Sequence, residues 1–597
     1  MPQPKISDSH TSAPAGLSSQ QVALAAVLAL TFLAYIGTLG FPFVYDDFPQ
    51  IVHNPFLQSW AELPGYFSAR IWNRGWGIAG GAARFYRPVF FLWLLVNRTL
   101  FGLHPWGWHL AAVLAHLGVT FLVYRLTAEL TRDKWTALIA ALVFGAHPVH
   151  IEGVAWVSGA TEPVLALPLL GSLLGFVHYR KTASLPALAS SLTLFALALL
   201  AKETALAFPI AVAALCIFSP DLPKREPGVR KLVRSTATAV VPFLVLDVLY
   251  IAVRWSIFRG WPAPASPVGL RTMALTWPSV LLFDVKHLVW PANLSLFYDT
   301  LFVTSASLRD FWLPVLIVGA IVALLVATAC KSGNRTVASL VAFALVWMLA
   351  TILPTLNLRA FHWREIAHDR YLYLPSVGFV MLLALTIRHL RITEARLFGG
   401  PAFQVACTAV LGVTLCASTV YQSALWGSPL GLYYHAATVA PNNVAALGLL
   451  ADELAARGRL EEAIDAYQRV VRVAPKWGEA WLQLGATSFR AGHYAEAEAQ
   501  LVRATELDSG NPDAFYVLGL DRIQLQRPRE AEAALQQAIS LEPSGSGFHV
   551  ALGSVFERLG NPAAASEFQK ELQYHPENRV AHEKLASAPA SLQPGSP

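Results

Sequence analysis

The sequence predicts an all-α chain in two parts: a polytopic bundle of about eleven membrane-spanning helices, then an α-solenoid of helical repeats. Three observations carry that expectation. Of the 597 residues, 55% are hydrophobic and 14% charged, against ~25% charged in an average soluble protein. Charge is also uneven. From Leu430 onward 20 acidic residues face 14 basic ones, and the whole chain is +6, so the first 429 residues carry about +12. Finally, the long apolar stretches stop near Val420 and a regular spacing of small residues takes over.

The elements follow in order. Residues 1–20 are polar and rich in Ser, Ala and Pro, and are expected to be disordered. Gln21–Gly40 is long enough to span a bilayer and no cleavage pattern follows a short apolar core, so it is expected to be a retained first span. Further candidate spans are 106–127, 135–150, 161–178, 186–202, 205–219, 236–257, 311–330, 336–356, 371–388 and 402–424. The basic runs are Arg125/Arg132/Lys134, Arg180/Lys181, Lys224 to Arg234, Lys331/Arg335 and Arg388/Arg391/Arg396. With these eleven spans and a cytoplasmic N-terminus, all five fall on the cytoplasmic side, as the positive-inside rule requires. Two other apolar stretches, 86–103 and 275–292, would put two of those runs outside if they crossed. Both are flanked by Trp or Tyr and are expected to lie in the outer interface, the first of them within an outer loop at 41–105. The membrane part is therefore 21–429, and everything after it is expected outside, in a bacterial periplasm by the composition and short loops.

The basic pI of 9.1 comes from these short runs between apolar stretches and does not point to nucleic acid. Cys216, Cys330, Cys407 and Cys416 lie in apolar stretches without CxxC spacing, so neither a disulfide framework nor a thiolate metal site is expected.

From 430 to 585 the chain repeats every 34 residues. Gly458, Gly492 and Gly560 recur between helices, with Gln526 in the third slot; Ala463, Ala497, Ala531 and Ala565 recur after them. Leu-Gly pairs stand at 484–485, 518–519 and 552–553, and closing prolines at Pro441, Pro475 and Pro543, with Ser509 in the remaining slot. This is the signature of about four tetratricopeptide (TPR) repeats. Residues 586–597 are expected to be a disordered tail.

Four polar groups fall on the predicted outer face. Asp46 and Asp47 follow the first span; one could act as a general base, or the pair could hold a divalent cation. His147, His150 and Glu152 form the second group, in which Pro148 interrupts a helix and so argues against a zinc site. Lys202 and Glu203 form the third. The fourth runs from His362 to Tyr373 and includes His368, Asp369, Arg370 and Tyr371; Arg370 is a natural phosphate partner.

These residues carry a resemblance. Phe43-Val44-Tyr45-Asp46-Asp47-Phe48 with Asn54-Pro55, then Tyr86-Arg87-Pro88, Trp108-His109-Leu110 with His116, His147 to Glu152, Lys202-Glu203 and Arg370 to Ser376, closed by TPRs, resemble the transmembrane-and-TPR O-mannosyltransferases and their bacterial relatives. That family lies within the GT-C glycosyltransferase superfamily. The resemblance implies a membrane-embedded inverting transferase. Its donor would be a hexose, expected to be mannose, on a polyprenyl phosphate, and its acceptor Ser/Thr hydroxyls of an exported protein held in the TPR groove. Asp46 or Asp47 would act near the acceptor hydroxyl, and Glu152 would be the second motif's acid. Lys202, Arg370 and His147 would meet the leaving phosphate, with His150, Glu203, Asp369 and Tyr371 in support. Two positions depart from the family pattern: an arginine is expected near Ala160, where Thr161-Glu162 follow, and Glu is expected where Asp369 stands. The competing expectation is a non-catalytic membrane-anchored TPR scaffold for envelope assembly, for which one span would suffice. A transporter ranks third, because no internal repeat is visible in 1–429.

Overall fold

The computed structural model describes residues 19–72, 85–218, 229–260, 266–361, 364–390, 395–397 and 400–587. Most of both expected disordered termini, part of the Lys224–Arg234 run, Arg391 and His362 lie outside the described residues. Ser19 and Gln20 open the helix Ser19–Tyr35, and Ala586 and Ser587 close Arg579–Ser587, so these four are helical rather than tail.

The eleven candidate spans fall mostly on helical backbone, apart from the end of 205–219 at Ser219, which lies outside the described residues, and they are not equal. Gln20–Gly40, Pro105–Thr131, Ser158–Thr182, Arg230–Phe258, Leu308–Lys331, Arg335–Leu356 and Ala402–Gly427 are each long and apolar enough to cross a membrane. Lys134–Ala146 continues into Pro148–Val154 through a 51° bend, placed where Pro148 has no N–H to give the helix. Leu185–Ala201, Glu203–Phe218 and Pro375–His389 are shorter. At 1.5 Å per residue they are ~22–26 Å long, less than the ~30 Å hydrocarbon core. The interruptions fall at His147, at Lys202 and just after Tyr373, where the sequence placed its motifs. Non-helical backbone is tolerated at membrane depth where protein or a cavity surrounds it, so the broken helices and the polar residues explain each other.

Several helices join a motif end to a basic end. Thr161–Thr182 carries Glu162 in its first turn and Arg180 and Lys181 in its last. Lys134–Ala146 starts from the Asp133 cap and ends at His147. Pro375–His389 starts after Tyr373 and ends with Arg388, whose Nε donates to Asp133 Oδ2 at 2.7 Å. Lys181 pairs with Glu129 at the same end. The motifs therefore gather at the end opposite these basic residues.

Two helices lie across the motif end. Pro88–Phe101 meets the first loop near its start, where Phe91 packs on Tyr66 and Trp72 at 5.4 and 4.8 Å, and near its finish, where Trp60 Nε1 donates to Thr99 Oγ1 at 3.0 Å. Leu270–Val289 buries Met273, Val280 and Leu288 in one cluster with Val149, Leu356, Leu358 and Leu372. A helix crossing the bundle would touch that end with one terminus only.

The chain divides into compact units between Leu432 and Tyr433. In the second, Val444–Ala456 and Leu460–Val473, Gly478–Ala491 and Tyr494–Leu507, Pro512–Gln524 and Pro528–Leu541, and Phe548–Leu559 and Ala564–Tyr574 form four helix pairs, closed by Arg579–Ser587. A Cβ on Gly485, Gly519 or Gly553 would come within 2.6 Å of Leu501, Leu535 or Phe568 on the paired helix, which is why glycine recurs there. The turn residues Gly458, Gly492 and Gly560 have φ of 75°, 84° and 67°. Gln526 adopts the same left-handed conformation at 61° without glycine's freedom.

Candidate active site

The first loop leaves the membrane helix through Tyr45, held at φ 51°, a conformation uncommon for a bulky side chain. The two following carboxylates have different fates. Asp47 is fully buried: Oδ1 accepts from Ser158 N at 2.8 Å and Ser158 Oγ at 2.6 Å, and Oδ2 accepts from Val44 N at 3.0 Å. It staples the first loop to the turn after the second motif. Asp46 is half-buried, and among the described residues its side chain takes one hydrogen bond, from Gln50 Nε2 at 3.3 Å. Burial pushes its pKa up to about 6, against the opposing pull of Arg370 and the Gln50 bond. Asp47 is pushed up to about 7, again chiefly by burial.

The second motif follows the bend at Pro148. Gly159 is required here because a Cβ would sit 2.1 Å from the Glu152 carbonyl oxygen. Glu152 is buried and committed to Arg370: Oε2 accepts the Arg370 backbone N–H at 2.8 Å, and Oε1 pairs with the guanidinium. Trp156 lies between Tyr45 and Arg370, with the Tyr45 ring at 5.8 Å and the guanidinium at 5.5 Å. Asp46, Glu152 and Arg370 are thereby brought to one place from three separate segments.

Lys202 begins the break between Leu185–Ala201 and Glu203–Phe218. It is buried and ion-paired with Glu162, and its ammonium lies 5.7 Å from the Tyr371 ring. Arg370 lies 5.1 Å from the same ring, so Tyr371 stands between two cations. Glu203 accepts both arms of Arg87, Nε at 2.9 Å and Nη2 at 2.5 Å. Asp369 is buried, and its Oδ2 accepts the Tyr298 hydroxyl at 2.5 Å. Burial, followed by neighbouring Glu152, raises its pKa well above the usual value for an aspartate. Its Oδ1 and Ser295 Oγ have no partner among the described residues. Both residues line a cavity of about 10 Å³ with Pro148, Glu152 and Gln422.

The two histidines take other places. His147 Nδ1 accepts from Val149 N at 3.2 Å and Nε2 faces the Leu288 carbonyl at 3.0 Å. With both nitrogens used, it caps the short turn and has no free donor for a phosphate. His150 packs against Phe144 and Tyr373, with Nε2 2.9 Å from Ser376 Oγ. No group of three or more His, Cys, Asp and Glu arranged to hold a metal occurs among the described residues. Asp47's oxygens already face N–H and O–H donors, whereas Asp46 takes one side-chain hydrogen bond among the described residues.

Sequence reasoning missed the carboxylate partners. Glu162 drew notice only as a departure, yet it neutralises Lys202. The available signal was an acid in the first turn of a 22-residue apolar helix, where an ionisable group needs a partner. Ser158 and Tyr298 carried no signal.

A tetratricopeptide-repeat model matches residues 449–513 and 516–579. Protein O-mannosyl-transferase Tmtc3 of Drosophila melanogaster is 24% identical over 89% of this chain and 65% of its own length. This chain is similar to proteins named protein O-mannosyl-transferases. Protein O-mannosyl-transferase F38B6.6 of Caenorhabditis elegans is 27% identical over 76% of this chain and 62% of its own. Human protein O-mannosyl-transferase TMTC1 is 26% identical over 79% and 57%. The chain thus spans about three-fifths of the length of these curated relatives.

Proposed function

We propose that this protein is a membrane glycosyltransferase that moves mannose from a polyprenyl-phosphate donor to Ser/Thr hydroxyls of an exported protein held by the TPR unit. The supporting observation is the half-buried Asp46 carboxylate, with an oxygen free of hydrogen bonds among the described residues, beside Arg370. A pKa near 6 suits a general base at neutral pH. In the step proposed, Asp46 takes the hydroxyl proton as the oxygen attacks the anomeric carbon. The bond from that carbon to the phosphate oxygen breaks with inversion, and Lys202 and Arg370 meet the charge left on the lipid phosphate. Glu152 and Tyr371 hold Arg370 in place. The distribution of basic runs supports an orientation with the motif end and the TPR unit outside, and the composition and short loops favour a bacterial plasma membrane.

The scaffold alternative needs no buried carboxylates paired with cations, such as Glu162 with Lys202 and Glu152 with Arg370, near the interruptions of the helices. Such pairs are costly to bury, and anchoring alone does not call for them. The test is transfer in nanodiscs from polyprenyl-phosphate mannose to a Ser/Thr-rich peptide. A peptide heavier by one hexose is expected, and no product from the folded wild type would overturn the proposal.

A further inference from the structure

Arg87, Lys202 and Arg370 each stand in an ion pair, with Glu203, Glu162 and Glu152 respectively. The three pairs are linked. Lys202 and Glu203 are sequence neighbours, and Lys202 and Arg370 share the Tyr371 ring. Three cations against three carboxylates leave the row neutral, so an arriving anion meets little attraction until one carboxylate lets go.

The pairs differ in how readily they can open. The side chains of Lys202 and Glu162 are 7% and 3% exposed, and Glu152 is 2% exposed, whereas Arg87 and Glu203 are 18% and 32% exposed. Parting a pair is strongly unfavourable where a carboxylate would be left dry, and cheap where water can solvate it. Glu203 is the most exposed of the three carboxylates. Arg87 is also placed to stay after release: its guanidinium lies 4.2 Å from the Phe85 ring, and Tyr250 Oη donates to the neighbouring Tyr86 carbonyl at 3.3 Å.

We infer that Arg87 is a third phosphate-recognition residue of this site, and that Glu203 holds it until the phosphate of a polyprenyl-phosphate headgroup takes Glu203's place. This rests on the donor-phosphate reading above. Arg87 offers a two-armed fork, the geometry that phosphate oxygens accept. When the phosphate arrives, Glu203 turns to water and the row gains the positive charge that holds the headgroup.

The test measures binding of long-chain polyprenyl phosphate to the full chain in nanodiscs, with the uncharged polyprenol as control and inorganic phosphate as a second probe. Arg87→Gln is expected to weaken polyprenyl-phosphate binding about tenfold, the size of one charge-assisted interaction. Glu203→Gln is expected to tighten it several-fold, a gain that misfolding cannot produce. The double variant is expected to match Arg87→Gln, because the gain works through Arg87. Polyprenol binding is expected to be unchanged throughout. Wild-type affinity in Arg87→Gln, or loss instead of gain in Glu203→Gln, would overturn the inference. If Lys202→Gln and Arg370→Gln lose the lipid while Arg87→Gln keeps it, the donor reading survives and this inference falls. If none of the three loses it, both fall. Inorganic phosphate alone binding as tightly as the lipid, with the same dependence on Arg87, would overturn the assignment to a lipid headgroup.

Discussion

Asp46 and Asp47 are neighbours in sequence and respond to the same substitution in opposite ways. Asp46→Asn removes a base and keeps the shape. The one side-chain bond from Gln50 at 3.3 Å is long and partly solvated, so stability is expected to change by under ~0.5 kcal/mol. Transfer is expected to fall ~10²–10⁴-fold, the span of general-base contributions. Asp47→Asn instead alters a carboxylate that accepts three hydrogen bonds, from Ser158 N, Ser158 Oγ and Val44 N. Whichever way the amide is turned, an NH₂ faces a backbone N–H. One bond is lost and a buried donor is stranded, at a cost of ~1–3 kcal/mol. The assay pairs transfer rate with limited proteolysis of the first loop. Asp46→Asn should be inactive and protected, whereas Asp47→Asn should be cleaved faster around residues 44–57. The wild-type rate should also rise with pH through about 6, because Asp46 must lose its proton to act and burial raises its pKa. Full transfer by Asp46→Asn, or normal protection in Asp47→Asn, would refute the division of roles.

Three further outcomes follow from individual contacts. Glu162→Gln leaves the buried Lys202 ammonium without its counter-ion; a loss of ~3–5 kcal/mol should appear as a much lower melting temperature in detergent, where an unchanged value would contradict the pairing. Asp521 is fully buried, both its oxygens lack partners among the described residues, and burial followed by Glu498 pushes its pKa up to about 7 from 3.8. The folded unit then keeps a proton the unfolded chain has lost, so the group's stabilising contribution is full below the unfolded value and disappears as pH rises to about 7. Asp521→Val, which copies Val555 one repeat on, should stabilise 512–541 by ~1–3 kcal/mol at pH 8 and much less at pH 4, read by hydrogen exchange in the full chain. Gln526→Gly relieves the left-handed turn residue and should slow exchange in the same helices by ~0.5–1 kcal/mol; faster exchange would show that the Gln side chain matters more than its backbone.

What the sequence revealed was mostly periodic or clustered. Four helix pairs follow from a small residue every 34 positions, and the three crowded glycines give the physical reason. The apolar stretches marked the membrane helices, and the basic runs marked one end of them. The interruptions at His147, Lys202 and Tyr373 were legible as motifs but not as breaks, because a short apolar helix and a full span look alike in composition. The choice between Asp46 and Asp47 was hidden, since it depends on Ser158, 111 positions away from Asp47. The partner of Lys202 was hidden for the same reason: Glu162 lies on another helix, and long-range pairing leaves no local spacing. The resemblance implied a phosphate role for His147, and only the positions of Val149 N and Leu288 O show that both its nitrogens are taken.

The central claim is that Asp46 drives sugar transfer to exported proteins. Intact masses of envelope proteins from deletion cells, compared with the same cells carrying the wild-type or the Asp46→Asn gene, test it most directly. One or more proteins are expected to lose whole hexose units on deletion, to regain them with the wild-type gene, and not to regain them with Asp46→Asn. Masses that do not change on deletion, or that Asp46→Asn restores in full, would contradict it.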